Sequence, residues 1–395
     1  MEKQDIINLF LKKRLQLDSG SLEFFQTNPK EIDDFLGKLK QAEMPPTITP
    51  EFIQKTLHHQ KTEIELIKKP VIKKGRVSSQ DYVQYLLDRF DKISSILGKK
   101  LGILNLVSIG KIGQKTRRFS LIGMVMDKDE SNMSVTIEDT TGSATLFFDE
   151  KEVENYRQIV LDEVVGLVCE QSDRLKAKNV VWPDIPLKKD IVKSDEDIFC
   201  LFVSDFHLDD SKFKEDSYKK FLSWIENSNL EKFYVFVLGD ISNSKKELTE
   251  FFKTVPENCY KIFLKGEIDS DTEAADLSLR NPSLIKIKGV NILLSHGNFM
   301  ARYVGICGKT PEGVMLNLLK KRHINPTLDF SLGGYEEDPF LIDIVPDIFA
   351  AGHFHSPSLT NYKGTTIITT GSFVSDPGFW LTNLKTRETI RIDFA

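Results

Sequence analysis

Cysteine is nearly absent from this chain, with four in 395 residues. Cys169, Cys200, Cys259 and Cys307 lie far apart and form no CxxC pair. That excludes a disulfide framework and a thiolate zinc ribbon. Three of them sit in or beside apolar runs, which reads as buried, reduced thiols and fits a cytoplasmic protein. No apolar stretch approaches the roughly 20 residues that span a membrane. The first residues, MEKQDIINLF, mix acids with bases and lack the apolar core of a signal peptide. An excess of positive charge is also missing, since 53 Lys and Arg face 58 Asp and Glu for a net charge of −5. A uniformly basic nucleic-acid binder is thereby excluded, although one local groove is not. The length exceeds one ordinary core, so two or three domains are expected.

Histidine is sparse as well, at seven residues, and its placement is informative. The apolar run Ile198–Val203 reads as a buried parallel strand, and it ends in Ser204-Asp205-Phe206-His207. Two residues apart on extended chain, Asp205 and His207 point to one side. A carboxylate and an imidazole together suit a divalent metal. The pattern recurs. Phe233–Leu238 ends in Gly239-Asp240, Tyr260–Leu264 in Gly266-Glu267-Ile268-Asp269, Ile292–Leu294 in Ser295-His296-Gly297, and Ile348–Ala351 in Gly352-His353-Phe354-His355. One Asp-x-His alone is better explained by a surface turn or a satisfied histidine, but five strand ends carrying Asp, Glu or His point to a metal site. Open α/β sheets bind ligands at that end of their strands.

In this order the motifs resemble DxH, GDxxD, GNHD, GH and GHxH of the calcineurin-like metallophosphoesterases. The resemblance covers residues 198 to 395. It implies a double-sheet α/β sandwich with a two-metal site that clamps a phosphodiester. By motif, Asp205, His207, Asp240 and His355 hold one metal. Asp240, Glu267, His296 and His353 hold the other, with Asp240 bridging. The catalytic set implied is Asp205, His207, Asp240, His296, His353 and His355. Two departures stand out. Glu267 puts a carboxylate where the family has a neutral amide. Ile268 replaces the family's histidine and has no proton or donor to offer a leaving group. The second Asp of GDxxD is Asn243.

Upstream, residues 1–60 read as a helical interaction module. Stripes at Ile6, Ile7, Leu9, Phe10 and Leu15, at Leu22, Phe24 and Phe25, and at Ile32, Phe35, Leu36 and Leu39 follow a helical period, and a fourth helix starts near Pro50. His58 and His59 are adjacent, face different ways on a helix, and are not expected to pair on a metal. Residues 61–100 are read as a basic flexible linker, to about residue 78, and then a helix capped by Ser78 with Tyr82, Leu86, Phe90, Ile93 and Leu97 on one face. Residues 101–186 alternate short strands with turns, at 103–109, 118–126, 133–139, 143–148 and 163–171, as in an OB-like barrel. Lys111, Lys115, Arg117, Arg118 and Phe119 form either a face for single-stranded nucleic acid or a solvated hairpin. Residues 187–395 form the metallophosphoesterase domain. The fold class expected is therefore α+β and multidomain.

This arrangement, with the helix DYVQYLLDRFDKISSIL, the segment VWPDIP after the barrel, Leu319–His323 and Pro346–Phe349, resembles the small subunits of archaeal family D DNA polymerases. It is also similar to the B subunits of eukaryotic replicative polymerases, whose phosphoesterase sites have decayed. The resemblance implies DNA replication, a 3′→5′ exonuclease, two manganese or magnesium ions, DNA as primer-template or single strand, and a large catalytic subunit as partner. His323 matches no metal motif and is read as structural. A non-catalytic scaffold subunit and a free-standing metallophosphoesterase are the alternatives.

Overall fold

The computed structural model describes residues 3–394 except 14, 30, 40–44, 46, 51, 54–63, 74–77, 101–104, 114–116, 188 and 329–333. The chain divides into two units, Met1–Glu63 and Ile64–Ala395. In the first, helices Lys3–Lys12, Ser19–Thr27 and Glu31–Lys38 enclose Phe10, Phe25 and Phe35, whose rings lie 5.0 to 6.0 Å apart. The second helix starts at Ser19, three residues before Leu22, because the Asp18 carboxylate accepts the Ser21 N–H and caps it. Pro50, Phe52 and Ile53 are helical, while His58 and His59 lie outside the described residues.

The larger unit opens with strand β1 (Ile64–Lys68). Strands β2 (Arg118–Asp129), β3 (Ser134–Asp139), β4 (Gly142–Phe148), β5 (Val164–Gln171) and β6 (Leu175–Val181) follow. Next come β7 (Phe199–Val203), β8 (Phe233–Val237), β9 (Tyr260–Leu264), β10 (Leu277–Leu279), β11 (Ser283–Ile287) and β12 (Val290–Ser295). The last are β13 (Ile348–Ala351), β14 (Ser358–Tyr362), β15 (Thr365–Thr369), β16 (Gly378–Asn383) and β17 (Thr389–Asp393).

Strands β2 to β6 close a barrel in the order β2-β3-β4-β6-β5. The other strands make two six-stranded sheets, β10-β9-β8-β7-β16-β17 and β1-β11-β12-β13-β15-β14. Period-two alternation builds the layers. Cys200, Phe202, Tyr234 and Phe236 face inward and meet Ile285, Ile292, Leu294 and Ala350 of the other sheet. Leu201, Val203, Val235 and Val237 face outward onto helices Glu215–Glu226 and Lys245–Thr254. Leu293, Phe349 and Ile367 lie under helix Pro311–Lys321 on the far side. Both faces of each central strand are buried, which is why these strands read as continuous apolar runs.

Three expectations are corrected. The basic linker is, over Ile64–Lys68, the antiparallel edge strand beside β11. Ile64 and Ile67 pack against the two cores, while Glu65 and Lys68 put charge on the sheet edge. The strand expected at 103–109 is absent from its described part. There the chain makes one bridge, Leu106 to Ser120, and a 3₁₀ turn, Ile109–Lys111. The fifth barrel strand is β6 instead, in which lysines interrupt the apolar pattern. Phe119 is 2% exposed and packs inside the barrel, so it presents no stacking face.

Helix Ser79–Leu97 begins with the expected Ser78 cap, reinforced by Asp81 reaching back. Its Ile93 and Leu97 pack on Ile122, Met124 and Val164 of the barrel wall. Arg89, 1% exposed, fixes the helix to its surroundings. Its guanidinium donates to Asp338 at 2.8 Å, to the Asp162 carbonyl at 3.0 Å and to the Pro326 carbonyl.

Candidate metal centre

Each strand that ends in a chemistry-bearing residue delivers it to one place. Strands β7, β8 and β9 run parallel in one sheet, and β12 and β13 run parallel in the other. Their carboxyl ends present Asp205 and His207, Asp240, Glu267, His296, and His353 and His355. Donor atoms of Asp240, Glu267, His296 and His353 all lie within 4.8 Å of one another, and so do those of Asp205, His207 and His355. The second set adjoins the first, since Asp205 Oδ2 accepts the His353 N–H at 2.8 Å.

The backbone there is strained. Asp205, His207, Asp240, His353 and His355 all have φ between 45° and 68°, the left-handed region that side chains other than those of Gly disfavour. Gly239 makes the bend before Asp240 possible. Its φ is +90°, and a Cβ there would stand 2.6 Å from Gly266 Cα and 2.8 Å from His296 Nδ1. Asp269 holds the turn from the other side. Its buried carboxylate accepts N–H groups from Asp240 (2.7 Å), Ile241 (2.8 Å), Ser242 (3.3 Å) and Gly266 (2.9 Å). Burial pushes its pKa up against those four bonds.

The donor atoms are aimed. His296 is fully buried, and its Nδ1 meets the Leu238 carbonyl at 2.8 Å. That assigns one ring proton to Nδ1 and turns Nε2 into the cluster, 3.1 Å from Asp240 Oδ2 and 3.3 Å from His353 Nδ1. His353 Nδ1 is 3.6 Å from Glu267 Oε2. Asp240 Oδ1 is held by the N–H groups of Glu267 (2.8 Å) and Ile268 (3.2 Å). In the other set, His207 Nε2 and His355 Nε2 face each other at 3.2 Å, and Asp205 Oδ1 lies 3.7 and 3.2 Å from them. Asp205 Oδ1 is buried without a hydrogen bond of good geometry. Opposed imidazole nitrogens beside an unsatisfied buried carboxylate oxygen fit a cation better than they fit one another.

Electrostatics agree with that fit. Burial opposes a charge on His296, but its bond to Asp240 and the charges of Asp205 and Asp240 push the pKa up to about 9. Burial also opposes the Asp240 carboxylate, yet His296 and the two N–H donors hold it down at about 2. His355 is raised by the Asp205 carboxylate 3.2 Å away. His353 is lowered, by burial and then by His296. Without an ion, that value puts a second proton on His296 Nε2, toward Asp240 Oδ2, and a cation bound there would displace it.

Ile268 is half-buried beside these ligands, and its side chain adds no polar atom. Asn243 turns away, donating to Asp209 at 2.6 Å. Neither Asp269's four bonds nor Asn281, whose side-chain oxygen accepts the His296 N–H at 3.0 Å, was evident from the motifs. Asp269 had a signal, standing two residues after Glu267, whereas Asn281 had none. His323 is far from metal chemistry: its Nε2 donates to Asp338 at 2.8 Å and its Nδ1 accepts the Asn325 N–H at 3.1 Å. Of the proposed nucleic-acid face, Lys111, Arg117 and Arg118 are exposed on the barrel, Phe119 is internal, and Lys115 lies outside the described residues. No helix among the described residues is long and apolar enough to cross a membrane.

No family model matches the chain. Curated relatives do, and the resemblance to archaeal polymerase small subunits holds. The chain is 26% identical to the DNA polymerase II small subunit of Archaeoglobus fulgidus, over 88% of this chain and 82% of that one. It is 27% identical to that of Methanothermobacter thermautotrophicus, over 76% and 74%. The Pyrococcus abyssi subunit is 25% identical over 85% of this chain, which spans 65% of that longer protein. Among solved structures, a vacuolar protein sorting 29 from Cryptosporidium parvum overlaps 50% of this chain and 97% of its own, at 16% identity and a TM-score of 0.32. An archaeal phosphodiesterase overlaps 50% and 99%, at 13% identity and a TM-score of 0.34.

Proposed function

We propose that this chain is the small subunit of a heteromeric replicative DNA polymerase of the archaeal family D type. Its phosphoesterase domain would keep a two-metal site and a weakened 3′→5′ exonuclease. The observation that carries this is the meeting of seven ligand side chains at five strand ends, in a chain similar to such subunits over most of its length. The partners are a large catalytic subunit and DNA, as primer-template or single strand, in the cytoplasm.

A divalent metal pair, manganese or magnesium, would supply Lewis-acid stabilisation of phosphodiester charge. Asp205, His207 and His355 would hold one ion and Glu267, His296 and His353 the other, with Asp240 shared. His207 and His355 are partly exposed and form the open side from which a DNA end would enter. What the chain lacks is a proton donor at Ile268 for the departing 3′-oxygen. General-acid help is typically worth about 10²–10⁴-fold, so cleavage is slow. Lys111, Arg117 and Arg118 on the OB-like barrel would bind phosphates without the stacking that Phe119 was expected to add.

A second reading, a scaffold subunit without nuclease activity, is favoured by the same Ile268. Size-exclusion chromatography with a co-expressed large subunit tests the shared part of both. Co-elution as a complex is expected. A chain that elutes alone and hydrolyses small phosphodiesters would point to a free-standing phosphoesterase. Degradation of 3′-labelled single-stranded DNA with manganese then separates the exonuclease from the scaffold.

A further inference from the structure

One sheet edge is left open beside an apolar groove. Strand β17 is the last of its sheet and pairs with β16 on one side only. In that ladder the Asn383 N–H donates to the Glu388 carbonyl at 3.0 Å, and the Phe394 N–H to the Pro377 carbonyl at 2.9 Å. Bonded and non-bonded pairs alternate in an antiparallel ladder, so Ile390 and Ile392 also bond toward β16. The N–H and C=O groups of Thr389, Arg391 and Asp393 therefore face the open edge, which makes a template for another strand. Other edges are guarded. Strand β10, at the opposite edge, has only three residues, and β1 carries Glu65 and Lys68 in ion pairs. On β17, Arg391 and Asp393 pair with each other on one face, and Ile390 is 47% exposed on the other.

The groove lies on the face of Ile390, which stands opposite Leu381. Leu381, Phe394, Trp224 and Leu230 line about 870 Å³ beside helix Glu215–Glu226. Trp224 is held against Phe233 and Phe379, with ring centroids 6.1 and 4.8 Å away. The Ser217 hydroxyl donates to the Phe394 carbonyl at 3.0 Å and ties the end of β17 to the helix. Groove and edge are thus preorganised.

We propose that this edge and groove dock an extended, acidic segment of a partner protein, added to the six-stranded sheet as one further strand. Backbone bonds to Thr389, Arg391 and Asp393 fix the segment as a strand. Every second side chain then lies on the face of Ile390, and an aromatic or branched one reaches the Trp224 groove. The inference involves neither the metal centre nor any nuclease activity.

Charge selects the occupant. The lining includes Lys219 and Lys220 and no carboxylate, although the chain's net charge is −5. Lys219 pairs only with Glu215, both largely exposed, and Lys220 pairs with no carboxylate among the described residues. A second copy of this chain fits less well, because two-fold pairing of β17 edges brings the lysines of both copies to one face.

The test selects a phage-displayed library of random peptides on the full chain, with the variant Lys219→Glu, Lys220→Glu as decoy. Both lysines are exposed, so the variant is expected to fold, checked by circular dichroism. Enriched peptides should be acidic, with alternating apolar residues and no internal proline. A labelled peptide from that set should bind the decoy at least tenfold more weakly in fluorescence anisotropy. N-methylation of alternate peptide nitrogens should abolish binding in one register and spare it in the other. Amide exchange at Thr389, Arg391 and Asp393, followed by NMR, should slow on binding. No enrichment over the decoy, enriched peptides without acidic residues, or unchanged exchange at those three amides would overturn the proposal. So would a dimer in light scattering that Ile390→Asp breaks, since it assigns the edge to a second copy.

Discussion

Asp269 and Asp240 hold each other's turns. The Asp269 carboxylate accepts the Asp240 N–H at 2.7 Å, while the Asp240 carboxylate accepts the N–H groups of Glu267 and Ile268, two and one residues before Asp269. Two adjacent strand ends are thereby locked into one ligand cradle. Asp269→Ala strands the buried N–H groups that the carboxylate satisfied, each worth about 1–3 kcal/mol when left unpaired. Partial relaxation leaves an expected loss of about 3 kcal/mol in urea unfolding. Metal affinity should fall with it, although Asp269 ligates nothing.

Arg89 should be equally costly, far from the site. Its pair with Asp338 is buried on both sides, at 2% and 0% side-chain exposure. Arg89→Met leaves the buried Asp338 carboxylate with uncharged partners, His323 and the Phe340 N–H among them, and removes donors to two carbonyls. A loss of about 3–5 kcal/mol is expected from denaturant titration. Little change in the midpoint would mean that water replaces the guanidinium at low cost.

His323 should make stability depend on pH. Burial lowers its pKa to about 4 despite Asp338, and the Asn325 N–H already occupies the nitrogen that would be protonated. The unfolded value is about 6.5. Between those values the unfolded chain binds the extra proton, so stability falls as pH drops from about 6.5 to about 4, then levels off for this group. The full effect is at most about 3 kcal/mol. His323→Gln should show a shallower loss of melting temperature across that window than the wild type.

Restoring the family residues should restore cleavage. Ile268→His alone, and with Glu267→Asn, is expected to raise manganese-dependent removal of 3′-terminal nucleotides by about 10²-fold or more, the double variant most. Robust cleavage by the unaltered chain, abolished by Asp240→Ala, would show that the histidine matters less than its chemistry suggests.

The strands that carry ligands were legible in the sequence because both of their faces are buried, so each reads as an unbroken apolar run ending in Asp, Glu or His. Motif order carried the rest of the ligand set, including Glu267 and Ile268, since identity at a strand end is local information. The helix at 79–97 was legible for the same reason: its cap and stripe are local. Edge and barrel strands were not. β1 is short and follows no clean alternation, β6 carries lysines within its pattern, and only pairing with β11 and β5 makes them strands. Phe119 looked available for stacking because a sequence states composition and not facing; barrel closure turned it inward. Tertiary structure alone decided that donors from two separate sheets stand 3.1 to 3.6 Å apart. That spacing depends on how the sheets pack and on the strained turns that Asp269 and Gly239 hold, which bring together residues more than 100 positions apart in the chain, such as Asp240 and His353.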